Sequence, residues 1–282
     1  MVRLLIDVFK VRIGVMMSIT AVVALMVSPG RPATTMDVAV LALAVLFASA
    51  SAGAFNQYYE RDLDARMKRT RNRAFVTGVF THSRWWLAPI LGLLVAGVGA
   101  AALLLNGLSA LFVFLGAFFY AVVYTMWLKR RTWLNIVIGG ASGSFAVLAG
   151  GAVVDPSLGP IPITLAIVLF LWTPPHFWSL AIAQRADYAA AGVPMLPVVV
   201  GDDQAARAVL WNAIALALAS LLPFYFGLGW LYLLGAAGGG GYFVYRSWLL
   251  ARDPSRGNAI QSFLASLVQL VVLLLFAVLD TL

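Results

Sequence analysis

The sequence predicts an all-α integral membrane protein, with one domain over residues 1–282 that forms a bundle of nine transmembrane helices with cytoplasmic capping loops over a central cavity. Three observations predict this class. Hydrophobic residues make up 62% of the chain and charged residues only 11%, whereas soluble domains carry about 25% charged residues. The mean hydropathy is +0.94. Apolar runs of roughly 20 residues, the length that crosses a hydrocarbon core, recur along the whole chain.

Nine apolar segments are long enough to cross a bilayer. Several contain proline or glycine, which membrane helices tolerate because neighbouring helices satisfy the freed backbone groups. The predicted spans are residues 12–28, 37–58, 85–105, 108–128, 135–154, 161–183, 208–226, 228–248 and 260–279. The longest polar interruptions are residues 59–84 and 184–207, and we expect these two loops to cap the cavity.

The basic residues are distributed asymmetrically between the two ends of these spans. All but one of the 19 Lys and Arg residues fall at one end, and the exception is Arg31. Because positively charged loops stay in the cytoplasm, we expect this end to be cytoplasmic and the C-terminus to lie outside. The cytoplasmic segments are then the N-terminus and residues 59–84, 129–134, 184–207 and 249–259. This bias explains most of the net charge of +8, so the charge does not indicate nucleic-acid binding. The absence of cysteine excludes disulfides and thiol ligands.

An acidic strip follows the second span, within the segment NQYYERDLDARMKRTRNR that runs from Asn56 to Arg73. Asn56, Glu60 and Asp64 are spaced i, i+4, i+8, so a helix that continues past the membrane places all three on one face. Mg²⁺ prefers carboxylate, amide and water oxygens, and it usually binds through one or two carboxylates plus substrate phosphates. Asp62 points elsewhere on an ideal helix. The strip therefore predicts a magnesium site.

A basic run follows the acidic strip at once, at Arg66, Lys68, Arg69, Arg71 and Arg73. Arginine offers paired donors to phosphate or carboxylate groups. The acidic strip suits a metal ion, and the basic run beside it suits an anion. Together they indicate a diphosphate that is bridged to the protein by a metal ion. The competing interpretation is a solvated loop that obeys the positive-inside rule, in which the acids only balance the bases.

A second acid, Asp187, lies in the loop that follows the span at residues 161–183. This span and the one at residues 37–58 leave the membrane on the same side, so Asp187 is predicted to face the acidic strip across the cavity as a second metal anchor. The alternative is a purely structural acid.

Four ordered segments resemble the protoheme IX farnesyltransferase (haem O synthase) branch of the UbiA-type intramembrane prenyltransferases. They are NQYYERDLDARMKRTRNR, YTMWLKRRTWLNIVIGG from Tyr124, WTPPHFW from Trp172 and DYAAAGVPMLPVV from Asp187. The first family motif, N-D-x-x-D-x-x-x-D, falls on Asn56, Gln57, Glu60 and Asp64, and Gln and Glu in place of two Asp residues are what the haem branch shows. The chain departs from the family pattern at Ala74, Ser144–Val147 and Ala186.

The resemblance implies transfer of a farnesyl group from farnesyl diphosphate to a vinyl group of haem b, with addition of water, giving haem O for terminal oxidases. It implies Mg²⁺ held by Asn56, Glu60, Asp64 and Asp187, and diphosphate contacts from Arg66, Lys68, Arg69 and Arg185. The implied location is a bacterial-type plasma membrane, the cell inner membrane. The implied partners are farnesyl diphosphate, haem b and the lipid bilayer, with a haem A synthase or a terminal oxidase as candidate protein partners.

The expected cavity contains aromatic side chains, whose faces favour positive charge. The predicted lining residues are Tyr59, Tyr124, Asn135 and Trp172. Pro174 and Pro175 predict a break or kink just before His176, whose imidazole would ligate haem iron or hydrogen-bond a neighbouring helix. Lys129 and Arg130 are predicted to bind haem propionates or diphosphate, and the alternative is that they only follow the positive-inside rule.

Three other functions fit parts of the pattern. A CDP-alcohol phosphotransferase also places acids at a membrane surface, but its signature has Gly after the first Asp, whereas Ala65 follows Asp64 here. Another UbiA branch, with a quinone-precursor or chlorin acceptor, shares the general motif. A cation transporter requires acids near the bilayer midplane, whereas Glu60 and Asp64 are expected at its edge.

Overall fold

The computed structural model describes all 282 residues, and all its regular secondary structure is helical. In chain order the elements are α1 (Val2–Val8), α2 (Val11–Val27), α3 (Thr35–Tyr59), α4 (Arg61–Arg66), α5 (Ala74–Thr77), a 3₁₀ turn (Arg84–Trp86), α6 (Leu87–Leu104), α7 (Gly107–Phe118), a π-helix (Phe119–Leu128), α8 (Asn135–Gly139), α9 (Ala141–Val154), α10 (Pro160–Ala183), α11 (Arg185–Ala190), α12 (Leu196–Val200), α13 (Asp202–Ala219), α14 (Leu222–Tyr225), α15 (Trp230–Arg252) and α16 (Arg256–Leu279).

A helix or a pair of consecutive helices coincides with each of the nine predicted spans. Seven segments are long and apolar enough to cross a membrane, and α1 with α2, bent by 55° relative to each other, form an eighth when taken as one span. Helix α15 is rich in Gly, Tyr and Arg, and it is not among these apolar segments. The protein is therefore a multi-pass membrane protein, and the count of nine crossings stays a prediction.

Polar contacts place alternate connections at opposite ends of the bundle. At one end the loop after α3 pairs with the loop after the π-helix, through Lys129 and Glu60. At the other end Arg31 pairs with Asp37 at 2.8 Å, and the Asp280 carboxylate accepts the backbone N–H of Gly229. The distribution of basic residues predicts the same grouping of connections. The end of the bundle that contains Lys129 and Glu60 is called the polar end below.

Helix α3 carries the acidic strip, and its two termini have clear local causes. It begins with a capping box, in which the Thr34 hydroxyl accepts the N–H of Asp37 at 3.1 Å and the Asp37 carboxylate accepts the N–H of Thr34 at 2.8 Å. The helix ends at Tyr59, because Glu60 leaves helical geometry with φ −92° and ψ 17°. Capping of this kind satisfies backbone donors that the first helical turn leaves free.

Small residues let the central helices approach closely. A Cβ atom on Gly97 of α6 would lie 2.7 Å from the Ala44 carbonyl oxygen of α3. Gly150 of α9 packs directly on the backbone of α2 at Ala21. These contacts hold α6 against α3 and α9 against α2. Many large apolar side chains remain exposed on the outer faces of the bundle, as lipid contact requires.

The sequence predicts a break or a kink at Pro174 and Pro175, and a break is absent. Helix α10 is continuous from Pro160 to Ala183, with both prolines inside it. The carbonyls that the two prolines leave without an N–H donor are those of Phe170 and Leu171, and membrane helices tolerate such groups where neighbouring structure surrounds them.

Candidate active site

The acidic strip keeps its helical register across the end of α3. The Glu60 N–H donates to the Asn56 carbonyl at 2.9 Å, and the Asp64 N–H donates to the Glu60 carbonyl at 2.8 Å. The i, i+4, i+8 alignment that the sequence predicts is thus retained although the chain passes from α3 to α4. All three side chains are buried, with 2%, 0% and 2% exposure for Asn56, Glu60 and Asp64.

Each member of the strip is held by a cation from another part of the chain. Lys10 Nζ donates to Asn56 Oδ1 at 2.6 Å. The other two contacts are ion pairs, from Lys129 Nζ to Glu60 Oε2 at 2.5 Å and from Arg73 to Asp64 Oδ2 at 2.7 Å. Charges this deeply buried need such partners, because an isolated charge costs several kcal/mol out of water.

One fully buried oxygen of the strip has no partner. Glu60 Oε1 is buried and accepts no hydrogen bond, which is rare for a buried carboxylate oxygen. An amide oxygen, two carboxylates and one unsatisfied carboxylate oxygen on one face form a donor set that suits a hard divalent cation. No group of three or more acid, His or Cys side chains converges here, so any metal ion would bind through a mixed set that includes Asn56 and ligand oxygens.

Asp187 lies in α11 and is half-buried. It forms no ion pair, and it does not join Glu60 and Asp64 in a group able to hold a metal ion. The structure therefore places Asp187 at the polar end as predicted but does not bring its carboxylate onto the strip. Its role as a second anchor stays a prediction.

The π-helix aligns a second row of polar side chains with the strip. Asn56 Nδ2 donates to Thr125 Oγ1 at 3.0 Å, and Lys10 Nζ also donates to the Tyr120 hydroxyl at 2.7 Å. The i→i+5 pattern of a π-helix keeps Tyr120, Thr125 and Lys129 on one side. In an α-helix Tyr120 and Lys129 would be about 2.5 turns apart and on opposite faces. A π-helix is often found at a functional site.

Sequence reasoning missed Lys10, Tyr120 and Thr125 as site residues. Lys10 is visible in the sequence as a charge that interrupts the first apolar segment. By itself such a charge indicates only which side of the membrane this segment faces. Tyr120 carried no signal, because an α-helical pattern places it on the face opposite Lys129. Thr125 shares a face with Lys129 in either kind of helix, but a single hydroxyl in an apolar run did not indicate a site.

The predicted diphosphate-binding residues divide into two groups. Arg66, Lys68 and Arg69 are exposed at the polar end, just beyond the strip, and none of them is in an ion pair. Burial raises the pKa of Tyr188, and the nearby Arg69 opposes that rise. Arg185 instead pairs with Asp202 at 3.2 Å, away from the strip.

Asp62 belongs to a separate surface cluster. Arg130 donates two hydrogen bonds to its carboxylate, at 2.8 and 2.9 Å, and holds the pKa of Asp62 below its usual value. The same guanidinium lies 5.9 Å from the centre of the Tyr59 ring. Tyr59 is 39% exposed. Asp62, Arg130 and Tyr59 therefore face outwards. The sequence predicts other roles for two of them, namely haem or diphosphate binding for Arg130 and a position in the cavity wall for Tyr59.

The remaining predicted residues lie inside the bundle. Tyr124 stacks on Tyr120 at 5.6 Å between ring centres, below Lys129. Asn135 is fully buried and its Oδ1 atom has no hydrogen-bond partner. Trp172 donates from Nε1 to the Ser266 carbonyl at 2.8 Å.

His176 is fixed by α16. Its ring stacks between Trp172 and Phe263, at 4.1 and 4.5 Å between centres. Nδ1 lies 2.7 Å from the Ser266 hydroxyl, whose own proton goes to the Phe263 carbonyl at 2.6 Å. Nδ1 is therefore the donor, and the free lone pair of the neutral ring is on Nε2. The helix–helix hydrogen bond proposed from the sequence is present.

Comparisons with known proteins agree with this architecture. Residues 17–273 match the model of the UbiA prenyltransferase family. The chain belongs to the UbiA prenyltransferase family. It is 56% identical over 272 residues to protoheme IX farnesyltransferase 2 of Paramagnetospirillum magneticum, covering 96% of this chain and 94% of the relative. It is 38% identical to protoheme IX farnesyltransferase 1 of Cenarchaeum symbiosum, over 99% and 95% of the two chains.

Solved UbiA structures share the fold at low sequence identity. A structure described for digeranylgeranylglyceryl phosphate synthase superposes with a TM-score of 0.80 at 16% identity, over 99% of this chain and 98% of that one. A UbiA homologue from Archaeoglobus fulgidus, bound to GPP and Mg²⁺, superposes with a TM-score of 0.72 at 15% identity, over 96% and 99%. The arrangement of helices around the strip is therefore the UbiA fold.

Proposed function

We propose that the protein transfers a farnesyl group from farnesyl diphosphate to a vinyl group of haem b, with addition of water, giving haem O. The observation that carries the proposal is the buried strip of Asn56, Glu60 and Asp64, with an unsatisfied oxygen on Glu60 and cations all around it. The farnesyl donor and the haem acceptor are supported by relatives that are named protoheme IX farnesyltransferases and are up to 56% identical.

The strip supplies the oxygen ligands for Mg²⁺. Glu60 and Asp64 would hold the ion, with Asn56 as a neutral ligand and Asp187 as a second anchor from α11. Bound Mg²⁺ neutralises the negative charge that builds up on a diphosphate leaving group.

The basic residues of the site bind the diphosphate. Lys129 and Arg73 pair with the strip, and Arg66, Lys68 and Arg69 lie exposed just beyond it. Positive groups fixed in advance around the leaving oxygens favour breakage of the C–O bond. The electron pair of that bond leaves with the diphosphate, and the farnesyl group becomes an allylic cation.

The aromatic residues protect and orient that cation. Tyr120 and Tyr124 stack beside the strip, and aromatic faces attract positive charge. The π electrons of the haem vinyl group form the new C–C bond to the farnesyl carbon. Water then adds to the cation that remains on the former vinyl group and loses one proton, which balances the reaction as haem O, diphosphate and H⁺.

Haem b would bind on the α10 side of the cavity. His176 presents a neutral ring whose free lone pair is on Nε2, the form of imidazole that ligates iron. With 18 of the 19 basic residues at the polar end, the positive-inside rule places this end in the cytoplasm. The setting that we propose is the inner membrane of a bacterial-type cell.

The test is a reaction with purified protein, Mg²⁺, farnesyl diphosphate and haem b, analysed by mass spectrometry. We expect a product with the mass of haem O in the wild type and in Asp203→Asn, because Asp203 is exposed and unpaired. Asp64→Asn, the matched change in the strip, is expected to abolish turnover while the protein stays folded. Absence of the haem O mass in the wild type, with an active control enzyme, refutes the proposed function. A prenylated product from a quinone precursor or a chlorin would instead identify another acceptor.

A further inference from the structure

A row of polar side chains runs through the apolar interior beside α10. Ser262, Ser266 and Gln269 are spaced i, i+4, i+7 along α16, which places them on one face of the helix, and all three are 0% exposed. The row covers about 10 Å of helix. It begins at Ser262, near the first residues of α16, and reaches Gln269 near the middle of the helix. Polar side chains at such depth in a membrane protein mark functional positions.

The two serines of the row have partners on neighbouring groups. Ser262 Oγ lies 3.0 Å from Ser179 Oγ of α10. The Ser266 hydroxyl accepts the Nδ1 proton of His176 and donates its own proton to the Phe263 carbonyl. A hydroxyl oxygen has two lone pairs, so Ser266 keeps one of them free.

Gln269 differs from the serines, because neither its Nε2 nor its Oε1 atom has a hydrogen-bond partner. Close packing seals the residue from lipid, since a Cβ atom on Gly239 of α15 would lie 3.3 Å from the Gln269 Cα. Burial of an amide without hydrogen bonds costs about 1–3 kcal/mol in proteins. A native structure that tolerates such a group usually satisfies it with bound water or a ligand.

A water molecule fits this position. Polar cavities hold water, and a buried water makes about three hydrogen bonds. The Gln269 amide supplies two N–H donors and one carbonyl acceptor. Ser266, about one helical turn away, supplies a further acceptor through its free lone pair. The row therefore contains enough partners for one water molecule.

The row lies beside the face of α10 on which we place haem b. Trp172 Nε1 donates to the Ser266 carbonyl at 2.8 Å, and the His176 ring stacks on Trp172. Farnesyl transfer leaves a cation on the former vinyl group. This cation either adds water, which gives the hydroxyethyl group, or loses a proton from the neighbouring carbon, which gives an alkene. A water molecule that is already in place favours addition, because its positioning entropy has been lost beforehand.

We propose that Gln269 holds the water molecule that adds to this cation, and that Ser262 and Ser266 connect it to the polar end. The oxygen of the water forms the new C–O bond to the cationic carbon. One of its protons leaves along the row to water at the polar end, and another water molecule enters for the next turnover. The identity of the cation rests on the proposed function, whereas the binding of water at Gln269 does not.

The first experiment detects the bound water without haem. X-ray radiolysis of the purified full chain in detergent converts bound water to hydroxyl radicals, which oxidise adjacent side chains, and mass spectrometry locates the oxidation. Leu273 follows Gln269 by one turn on the same face and is 0% exposed, as is Leu41 in another apolar cluster. We expect oxidation of Leu273 but not of Leu41 in the wild type, and loss of that oxidation in Gln269→Met.

The second experiment measures the haem products with Mg²⁺, farnesyl diphosphate and haem b. Gln269→Met removes the amide and keeps a side chain of similar length. We expect the ratio of dehydrated product, lighter than haem O by one water, to haem O to rise about tenfold, the factor that loss of one hydrogen bond adds to a barrier. Ser262→Ala interrupts the row and should shift the ratio in the same direction. Gln261→Met is the matched control, because Gln261 is exposed on the same helix.

Absence of Leu273 oxidation in the wild type, or equal oxidation in Gln269→Met, overturns the proposal whatever the transfer assay shows. An unchanged product ratio in both Gln269→Met and Ser262→Ala also overturns it, as does an equal rise in Gln261→Met. Loss of both products from a folded Gln269→Met protein would show that the amide acts before hydration, and this too refutes the assignment. A wild type that makes no prenylated haem is instead a failure of the proposed function.

Discussion

The buried ion pair between Lys129 and Glu60 gives a quantitative test of the site. Glu60 is fully buried and the Lys129 side chain is 12% exposed, with 2.5 Å between Nζ and Oε2. Lys129→Met removes one charge and keeps an apolar stem of similar length. The double variant Lys129→Met/Glu60→Met removes both charges and keeps most of the volume. The two variants separate the cost of breaking the pair from the value of having it.

The structure sets the magnitude. At 2.5 Å the direct attraction is about 7 kcal/mol with an effective dielectric constant of about 20, and the cost of taking both ions out of water offsets most of it. Breaking a buried pair by removing one partner typically costs about 3–5 kcal/mol, because the other charge stays buried. We expect Lys129→Met to lower the free energy of unfolding by about 3 kcal/mol. We expect the double variant to lie within about 1 kcal/mol of the wild type.

The assay is reversible unfolding in detergent, followed by tryptophan fluorescence, for the wild type, both single variants and the double variant. The four free energies form a double-mutant cycle that isolates the coupling between the two side chains. A Lys129→Met protein as stable as the wild type would show that Glu60 is not charged and buried as described. A double variant less stable than the wild type by about 3 kcal/mol or more would show that the pair itself stabilises the fold, and either result refutes the reasoning.

Three further predictions concern other parts of the polar end and the core. Deletion of Val122, which is exposed on the outer face of the π-helix, leaves Tyr120, Thr125 and Lys129 at an i, i+4, i+8 spacing, which an α-helix keeps on one face. The deletion variant should therefore retain turnover in the haem O assay, and circular dichroism should keep its helical spectrum. Asp62→Asn should lower the free energy of unfolding by less than about 1 kcal/mol, because the pair of Asp62 with Arg130 is exposed. Since Arg130 lowers the pKa of Asp62, this small stabilisation is present above the pKa of the unfolded carboxyl, about 3.9. It is lost as the pH falls through the lower folded value, where the unfolding curves of wild type and variant should converge. Ser266→Ala should lower the free energy of unfolding, measured by heat or denaturant, by about 1–3 kcal/mol. The reason is that this change leaves the buried Nδ1 donor of His176 without a partner.

The prediction of the strip shows why local periodicity is reliable. The alignment of Asn56, Glu60 and Asp64 depends on helical spacing over nine residues, and short-range backbone hydrogen bonds enforce it even where α3 gives way to α4. The helical class and most helix boundaries follow from the same local information. Each depends on an apolar run and on capping residues that lie close together in the sequence. The prediction that Asp62 points away from the face of Asn56, Glu60 and Asp64 follows from the same geometry.

The partners of the strip could not be predicted, because they depend on contacts between distant segments. Lys10 is 46 residues from Asn56 and Lys129 is 69 residues from Glu60. Nothing in the sequence distinguishes these lysines from others that obey the positive-inside rule. The π-helix adds a second reason, since a change in helical register alters which side chains share a face, and the apolar pattern alone does not reveal it.

The continuous helix through Pro174 and Pro175 illustrates the same division. The local rule predicts a break or a kink, and α10 nevertheless stays helical through both prolines, because neighbouring helices in a membrane bundle can accommodate the backbone groups that proline frees. By itself the sequence determined the membrane class, the polar end and the acidic strip, because these depend on composition and short spacing. Only the tertiary structure decided which cations reach Asn56, Glu60 and Asp64, because ion pairs between distant elements form only after the bundle has packed.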